Sequence, residues 1–174
     1  FSLIQSPIDK KMFRCIIFMV KIMIYTSNSE NETLEIAKNF ASTLKPCDTV
    51  VLSGELGAGK TKFMYGIAEF FNIQHMVCSP TFTIVNEYNL PQRINNISNI
   101  YHFDVYRIHD SVDFVDSIGT DYFSNGLCIL EWGKNIKDVL PKSTIYIDIT
   151  KDENDDNKRM ISISRGENTW IYWQ

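Results

Sequence analysis

One short segment decides most of what this chain can fold into. Gly54-Glu55-Leu56-Gly57-Ala58-Gly59-Lys60-Thr61 fits the pattern G-x-x-x-x-G-K-[ST]. An apolar run precedes it at 49–53, and an amphipathic stretch follows at 60–71. Each residue type in the pattern has its own physical reason. Glycines let the backbone curl tightly, so that successive N–H groups converge on anionic oxygens. A helix starting near Lys60 adds the positive end of its dipole. Lys60 can reach the terminal phosphates of a nucleotide as a point charge, and the Thr61 hydroxyl is placed to ligate Mg²⁺. Leu56 and Ala58 are spacers whose backbone matters more than their side chains. The segment therefore predicts a strand–loop–helix unit of an α/β, P-loop NTPase-like domain.

The rest of the composition narrows this further. A chain of 174 residues, 44% apolar and 22% charged, suits one globular domain. Residues 1–22 carry Lys10, Lys11, Arg14 and Lys21 against Asp9, so the excess of acids lies beyond them in a chain of net charge −4. That acidity argues against a broad electropositive nucleic-acid face, which needs clustered Lys and Arg. It leaves open work on a nucleic acid that another protein holds. Cys15, Cys47, Cys78 and Cys128 show no C-x-x-C spacing and no histidine at zinc-ligand distance. They read as reduced, mostly buried thiols of a cytosolic protein. The apolar run at 15–20 is broken by Lys21, too early for a spanning helix or a signal sequence. No membrane role is expected. Folding information is expected to begin at Met23, with 1–22 an extension that is partly disordered or added, and 23–174 the domain.

The coarse pattern is alternating. A strand is predicted over 23–26. Ser29 and Glu32 form the S-x-x-E of a capping box, and Leu34, Ala37, Phe40, Ala41 and Leu44 recur behind it at helical spacing, up to Pro46. A buried strand is predicted over 49–53. The helix over 60–71 contains Gly66, for which a close helix–sheet contact is the expected reason. Strands follow at 82–88 and 97–103, joined as a hairpin by the polar segment 89–96. A short helix is predicted over 110–118, stopped by Gly119. The run Leu127-Cys128-Ile129-Leu130 reads as a strand covered on both faces. Two last strands, around 145–149 and 160–164, flank a charged solvated connection.

A phosphate loop needs acids near its metal. Two apolar strands end in one: Ile100-Tyr101-His102-Phe103 leads into Asp104, and the run at 127–130 leads into Glu131. One would hold Mg²⁺, directly or through water, and the other would orient the attacking water; the spacing does not apportion these roles. Lys60, Asp104 and Glu131 are the candidate catalytic residues. No guanine-reading N-K-x-D is present, since Asn135-Ile136-Lys137-Asp138 has its lysine one place late. Arg93, Arg107, Arg159 and Arg165 are scattered, which disfavours a small-molecule kinase with its arginine lid. An ATPase driving a conformational or assembly step remains, with the kinase as the alternative. An ATP-gated docking module that hydrolyses little is a third reading.

Four blocks together resemble the TsaE (YjeE) family, the bacterial ATPase of tRNA threonylcarbamoyladenosine synthesis. They are the loop GELGAGKT, Ser79-Pro80-Thr81-Phe82 with the TIVNEY that follows, Tyr101-His102-Phe103-Asp104-Val105-Tyr106-Arg107, and Ile129-Leu130-Glu131-Trp132. The resemblance covers about residues 23–165. It implies a single α/β P-loop domain around a central mixed β-sheet flanked by helices, with ATP and Mg²⁺ as ligands and a cytoplasmic location. It also implies partnership with TsaD and TsaB, which transfer the threonylcarbamoyl group to adenosine 37 of tRNA. The tRNA would be met only indirectly, through that complex.

Carried over to this chain, the resemblance has Glu55, Leu56, Gly57, Ala58, Gly59, Lys60 and Thr61 cradle the phosphates. Thr61 and Glu131 ligate the metal, with Asp104 in or beside that shell. Thr81 resembles a switch residue sensing the γ-phosphate, against the simpler reading of a Ser-Pro-Thr turn. Trp132 resembles a tryptophan near the nucleotide, against a merely packed aromatic. Arg159 resembles an arginine reaching ATP from the C-terminal strands, and Thr26 and Glu30 fall where the family borders the adenine. His102 alternates with Phe103 and is assigned a structural role. Two departures stand out: Lys62 replaces a second hydroxyl after the loop threonine, and Gly133 follows Trp132 where proline is common.

Overall fold

The computed structural model describes residues 22–73, 80 and 83–166. Among these, seven strands form one sheet in the order β1-β7-β6-β2-β5-β4-β3. They are β1 (Met23–Ser27), β2 (Thr49–Ser53), β3 (Val85–Ile94), β4 (Ile97–Asp104), β5 (Leu127–Glu131), β6 (Ile145–Lys151) and β7 (Arg159–Arg165). The four central strands β6, β2, β5 and β4 are mutually parallel. The flanking pairs β1/β7, β7/β6 and β4/β3 are antiparallel, so the sheet is mixed. Strands β2 and β5 are buried almost throughout. That is the signature of strands covered on both faces.

The cover comes from two layers. Helices α1 (Glu30–Ala41) and α2 (Lys60–Phe70) pack on one face. Their Ala37, Phe40, Phe63, Met64 and Ile67 bury against Val50, Leu52, Ile129, Ile147 and Ile149. On the other face lie α3 (Ser111–Ser117), α4 (Tyr122–Asn125) and a 3-10 segment, Gly133–Val139. There Phe114, Phe123 and Ile136 meet Val51, Phe103, Cys128 and Leu130. Alternation along β5 thus sends Ile129 and Glu131 to the α2 side and Leu130 to the other.

Local chemistry explains most element ends. Ser29 caps α1 by accepting from the Glu32 amide at 3.1 Å. The returning bond of the capping box differs from expectation: Glu32 accepts from the Asn28 amide at 2.7 Å, one residue further upstream. Helix α1 stops at Ala41, before Pro46 can act. The Thr43 and Leu44 amides tighten onto Phe40 and Ala41, and the Ser42 and Thr43 hydroxyls take the Asn39 and Phe40 carbonyls. Asp110 caps α3 by accepting from the Val112 and Asp113 amides. Asp48 receives the forked Arg165 guanidinium at 3.0 and 3.2 Å, tying the end of β7 to the start of β2.

Three sequence expectations need correction or completion. The hairpin joint is not 89–96 but Asn95-Asn96 alone, both at positive φ. That is the geometry of a tight two-residue turn. Strand β3 continues to Ile94 because Tyr88, Leu90 and Ile94 still pack on the core, with the register shift between Asn89 and Ile94 accommodating Pro91. The helix α4 and the 3-10 segment carry too few periodic residues to have been predicted. Cys47 is exposed and Cys128 buried, both free; burial raises the Cys128 thiol to about 12. Cys15, Cys78, the extension over 1–21 and Phe82 lie outside the described residues.

Gly66 also has a different reason from the expected one. A Cβ there would sit 2.5 Å from the Ala37 Cβ and 2.6 Å from the Leu34 carbonyl oxygen. The contact that needs glycine is helix to helix, α2 on α1. Helix propensity alone favours Gly66→Ala by about 1 kcal/mol, but the overlap should cost about 1–3 kcal/mol. The substitution is therefore expected to lower the urea midpoint, not raise it.

Candidate functional site

The loop between β2 and α2 is shaped by three glycines at positive φ: Gly54 (140°), Gly57 (73°) and Gly59 (116°). Gly54 is irreplaceable for a second reason, since a Cβ would lie 2.4 Å from the Ile149 carbonyl oxygen of β6. Gly59 precedes α2 in the left-handed region, with no side chain capping the helix. The first-turn amides of α2 are left for an external acceptor by this geometry. The Ala58 amide bonds the Glu55 carbonyl, and the Ala58 carbonyl accepts from the Arg159 Nε–H at 2.9 Å. Arg159 thus grips the loop from the start of β7.

Lys60 is 6% exposed. Its ammonium donates to the Gly54 and Glu55 carbonyls at 2.9 and 3.0 Å and lies 4.2 Å over the Trp132 ring. Burial pushes this ammonium below its usual range, while the Glu131, Asp104 and Asp148 carboxylates pull it back up. The two acids that the sequence singled out are neighbours. Parallel pairing sets Asp104 directly opposite Glu131 at the ends of β4 and β5, and both are buried, at 6% and 3% exposure. Asp104 accepts from the Tyr106 amide at 3.1 Å, and its own amide bonds the Ile84 carbonyl. Ile84 sits at φ 67°, a strained setting for a β-branched residue.

Leu56, Gly57, Gly59, Lys60, Thr61, Asp104, Tyr106, Glu131 and Trp132 surround one cavity of about 620 Å³. That is the size range of small-molecule sites. Among the described residues no cluster of three or more His, Cys, Asp or Glu could hold a metal by itself. The donor set of one hydroxyl and two carboxylates nevertheless fits Mg²⁺, a hard cation that takes few protein oxygens and completes its shell with phosphates and water. Thr61 and Glu131 would hold it, with Asp104 in or beside that shell.

Of the other sequence candidates, Trp132 lines this cavity. Trp132 occupies the left-handed region (φ 66°) and packs edge-on against Tyr106. These two also wall a second cavity of about 440 Å³, bounded by Gly54, Glu55, Lys134 and Asp148. Glu30 pairs with Lys62 at 2.6 Å, linking the starts of α1 and α2; that bond holds its carboxyl below the usual range. The departure at Lys62 thus has a structural use. Thr26 borders a separate cavity with Lys151 and Asp152. Thr81 lies outside the described residues. Gly133 leaves room for Val51, whose methyls would lie 3.1 and 3.2 Å from a Cβ. Sequence reasoning missed Tyr106, and also Lys151, whose ammonium is 3.3 Å from where a Gly57 Cβ would be. Its signal was only a lysine at the end of a strand.

A parallel core, a glycine-lined loop entering a helix, and acids ending the neighbouring strands define a P-loop NTPase-like α/β protein. The comparisons carry this to a family. The family model described as "Threonylcarbamoyl adenosine biosynthesis protein TsaE" matches residues 27–161. The TsaE protein of Bacillus subtilis is 42% identical over 76% of this chain and 80% of its own length. That of Rickettsia typhi is 40% identical over 82% and 94%. The crystal structure of Bacillus subtilis YdiB superposes with a TM-score of 0.68, at 34% identity, over 88% of this chain and 92% of that one. This chain belongs to the TsaE family.

One titration can be read from the site's edge. Burial raises the Asp148 carboxyl, against the pull of Lys134 and Lys60. The folded chain therefore holds this proton more tightly than the unfolded chain does. Its stabilising contribution is complete below the ordinary carboxyl range and is lost as pH rises through the folded value. Asp148→Asn should be more stable than the wild type at pH 7, and the difference should vanish in acid. Urea midpoints at the two pH values check this.

Proposed function

We propose that this protein binds ATP with Mg²⁺ in the 620 Å³ cavity and hydrolyses it in the service of tRNA threonylcarbamoyladenosine biosynthesis, working with homologues of TsaD and TsaB. The observation that carries the reading is the convergence of Lys60, Thr61, Asp104 and Glu131 on that single cavity, over the open end of α2. Family membership supports the pathway.

Each residue has a definite task in this reading. The amides of the 54–61 loop bind the phosphates. Lys60 leaves its two carbonyl partners to take β- and γ-oxygens. Thr61 and Glu131 would hold the cation, which would supply positive charge to offset that of the phosphates. Asp104 lies beside them, positioned to orient a water. Arg159 keeps the loop in shape through Ala58. Two of the arginines that a kinase could use to grip substrate are engaged elsewhere: Arg159 on the loop, and Arg165 on Asp48. The acidic chain suits a protein that leaves tRNA to its partners. Among the described residues no helix is long and apolar enough to cross a membrane.

Lys60→Ala is expected to weaken ATP binding about 100-fold, because charge-assisted bonds contribute about 1.5–3 kcal/mol each; calorimetric titration reads it, and unchanged affinity contradicts the phosphate assignment. With γ-labelled ATP, label should appear as free phosphate, and label on a metabolite would favour the kinase. Hydrolysis should rise when TsaB and TsaD are added. If it stays negligible with both present, the protein is an ATP-gated docking module instead.

A further inference from the structure

We propose that His102 is a positioning residue that fixes the Glu131 carboxylate for the cation and holds it off the Lys60 ammonium. The proposal rests on the reading of Glu131 as a metal ligand. The imidazole is fully buried, and its Nε2 lies 3.0 Å from Glu131 Oε1. Register makes this contact possible. His102 faces Ile129 on β5, two residues before Glu131, and alternation sends His102, Asp104, Ile129 and Glu131 to the same side of the sheet. The tautomer protonated at Nε2 donates to the carboxylate.

The other ring nitrogen, Nδ1, has no hydrogen-bond partner among the described residues. A histidine kept only to fill space would be an odd choice here, because an aliphatic side chain would fill it without a stranded buried acceptor. What the imidazole has that leucine lacks is the bond to Glu131. Its usefulness follows from Lys60. The Glu131 carboxylate lines the same cavity as Lys60 and acts on its charge. Yet Lys60 makes its hydrogen bonds to loop carbonyls, and Glu131 makes its hydrogen bond with His102. A released carboxylate would swing to the ammonium. That pairing would consume the phosphate-binding charge and the metal-binding oxygen together. The His102 bond occupies Oε1 and leaves Oε2 for the cation, as partners behind a metal ligand commonly do.

The test is binding of Mn²⁺, followed by electron paramagnetic resonance, to the full chain loaded with a non-hydrolysable ATP analogue. Four variants are compared: His102→Leu, His102→Gln, His102→Asn and Glu131→Gln. Loss of an oriented outer partner typically weakens metal affinity about 10–100-fold. His102→Leu should show that loss and approach Glu131→Gln. His102→Gln, whose amide N–H can occupy the place of Nε2, should stay within about threefold of the wild type. The shorter His102→Asn should behave like leucine, and it decides the matter if the leucine variant does not fold. Weakened Glu131→Gln with wild-type affinity in His102→Leu or His102→Asn overturns the positioning role and leaves the ligand reading intact. Wild-type affinity in Glu131→Gln overturns the ligand reading itself, and this proposal with it. Glutamine failing to rescue, with all His102 variants equally weak, also overturns it, because the donor would then not be what matters.

Discussion

Three charged side chains are buried within one small volume, and the rest of the structure is arranged to make that tolerable. Lys60, Asp104 and Glu131 are each less than a tenth exposed. Burying charge without compensation costs several kcal/mol per group. The simplest remedy, a direct pairing of the lysine with a carboxylate, would leave nothing for a phosphate or a cation. The fold supplies other partners instead. Lys60 takes two loop carbonyls and the face of Trp132. Asp104 takes the Tyr106 amide, and Glu131 takes His102. The charges are thereby satisfied while still facing the same cavity.

Such an arrangement needs rigid support, and the sheet provides it. The parallel strands β4, β5 and β2 end within a residue of one another, so that Asp104, Glu131 and the 54–61 loop come to one edge. The loop is braced from the far side by Ile149 behind Gly54 and by Arg159 on Ala58. Positive φ at Ile84 and Trp132 marks backbone settings that the surrounding packing enforces. Both residues adjoin the acids, Ile84 through the Asp104 amide and Trp132 as the residue after Glu131.

How much of this was legible beforehand varied with the range of the interaction. The loop, the helix after it and the strands at 49–53 and 127–130 were readable because their causes are local: glycine spacing, apolar runs and helical periodicity. Asp104 and Glu131 were readable as acids that end apolar strands. The reason for Gly66 is not local, because its neighbours Leu34 and Ala37 lie on another helix. The second half of the capping box was off by one residue because a flexible glutamate can reach either amide. Residues 89–94 looked like a loop because they are polar and contain a proline, but an edge strand tolerates both.

The chain's local chemistry therefore determined that it carries a glycine-lined loop entering a helix, an α/β alternation and two acids that end apolar strands. Residue spacing encodes these directly, since each depends on neighbours within about two helical turns. Tertiary structure decided the order of the seven strands and the register that seats Asp104 opposite Glu131. It also brought His102 beneath Glu131 and turned Lys60 toward Trp132. Each of these joins residues tens of positions apart, and their pairing follows from which buried surfaces fit together, a property that no stretch of the chain carries alone.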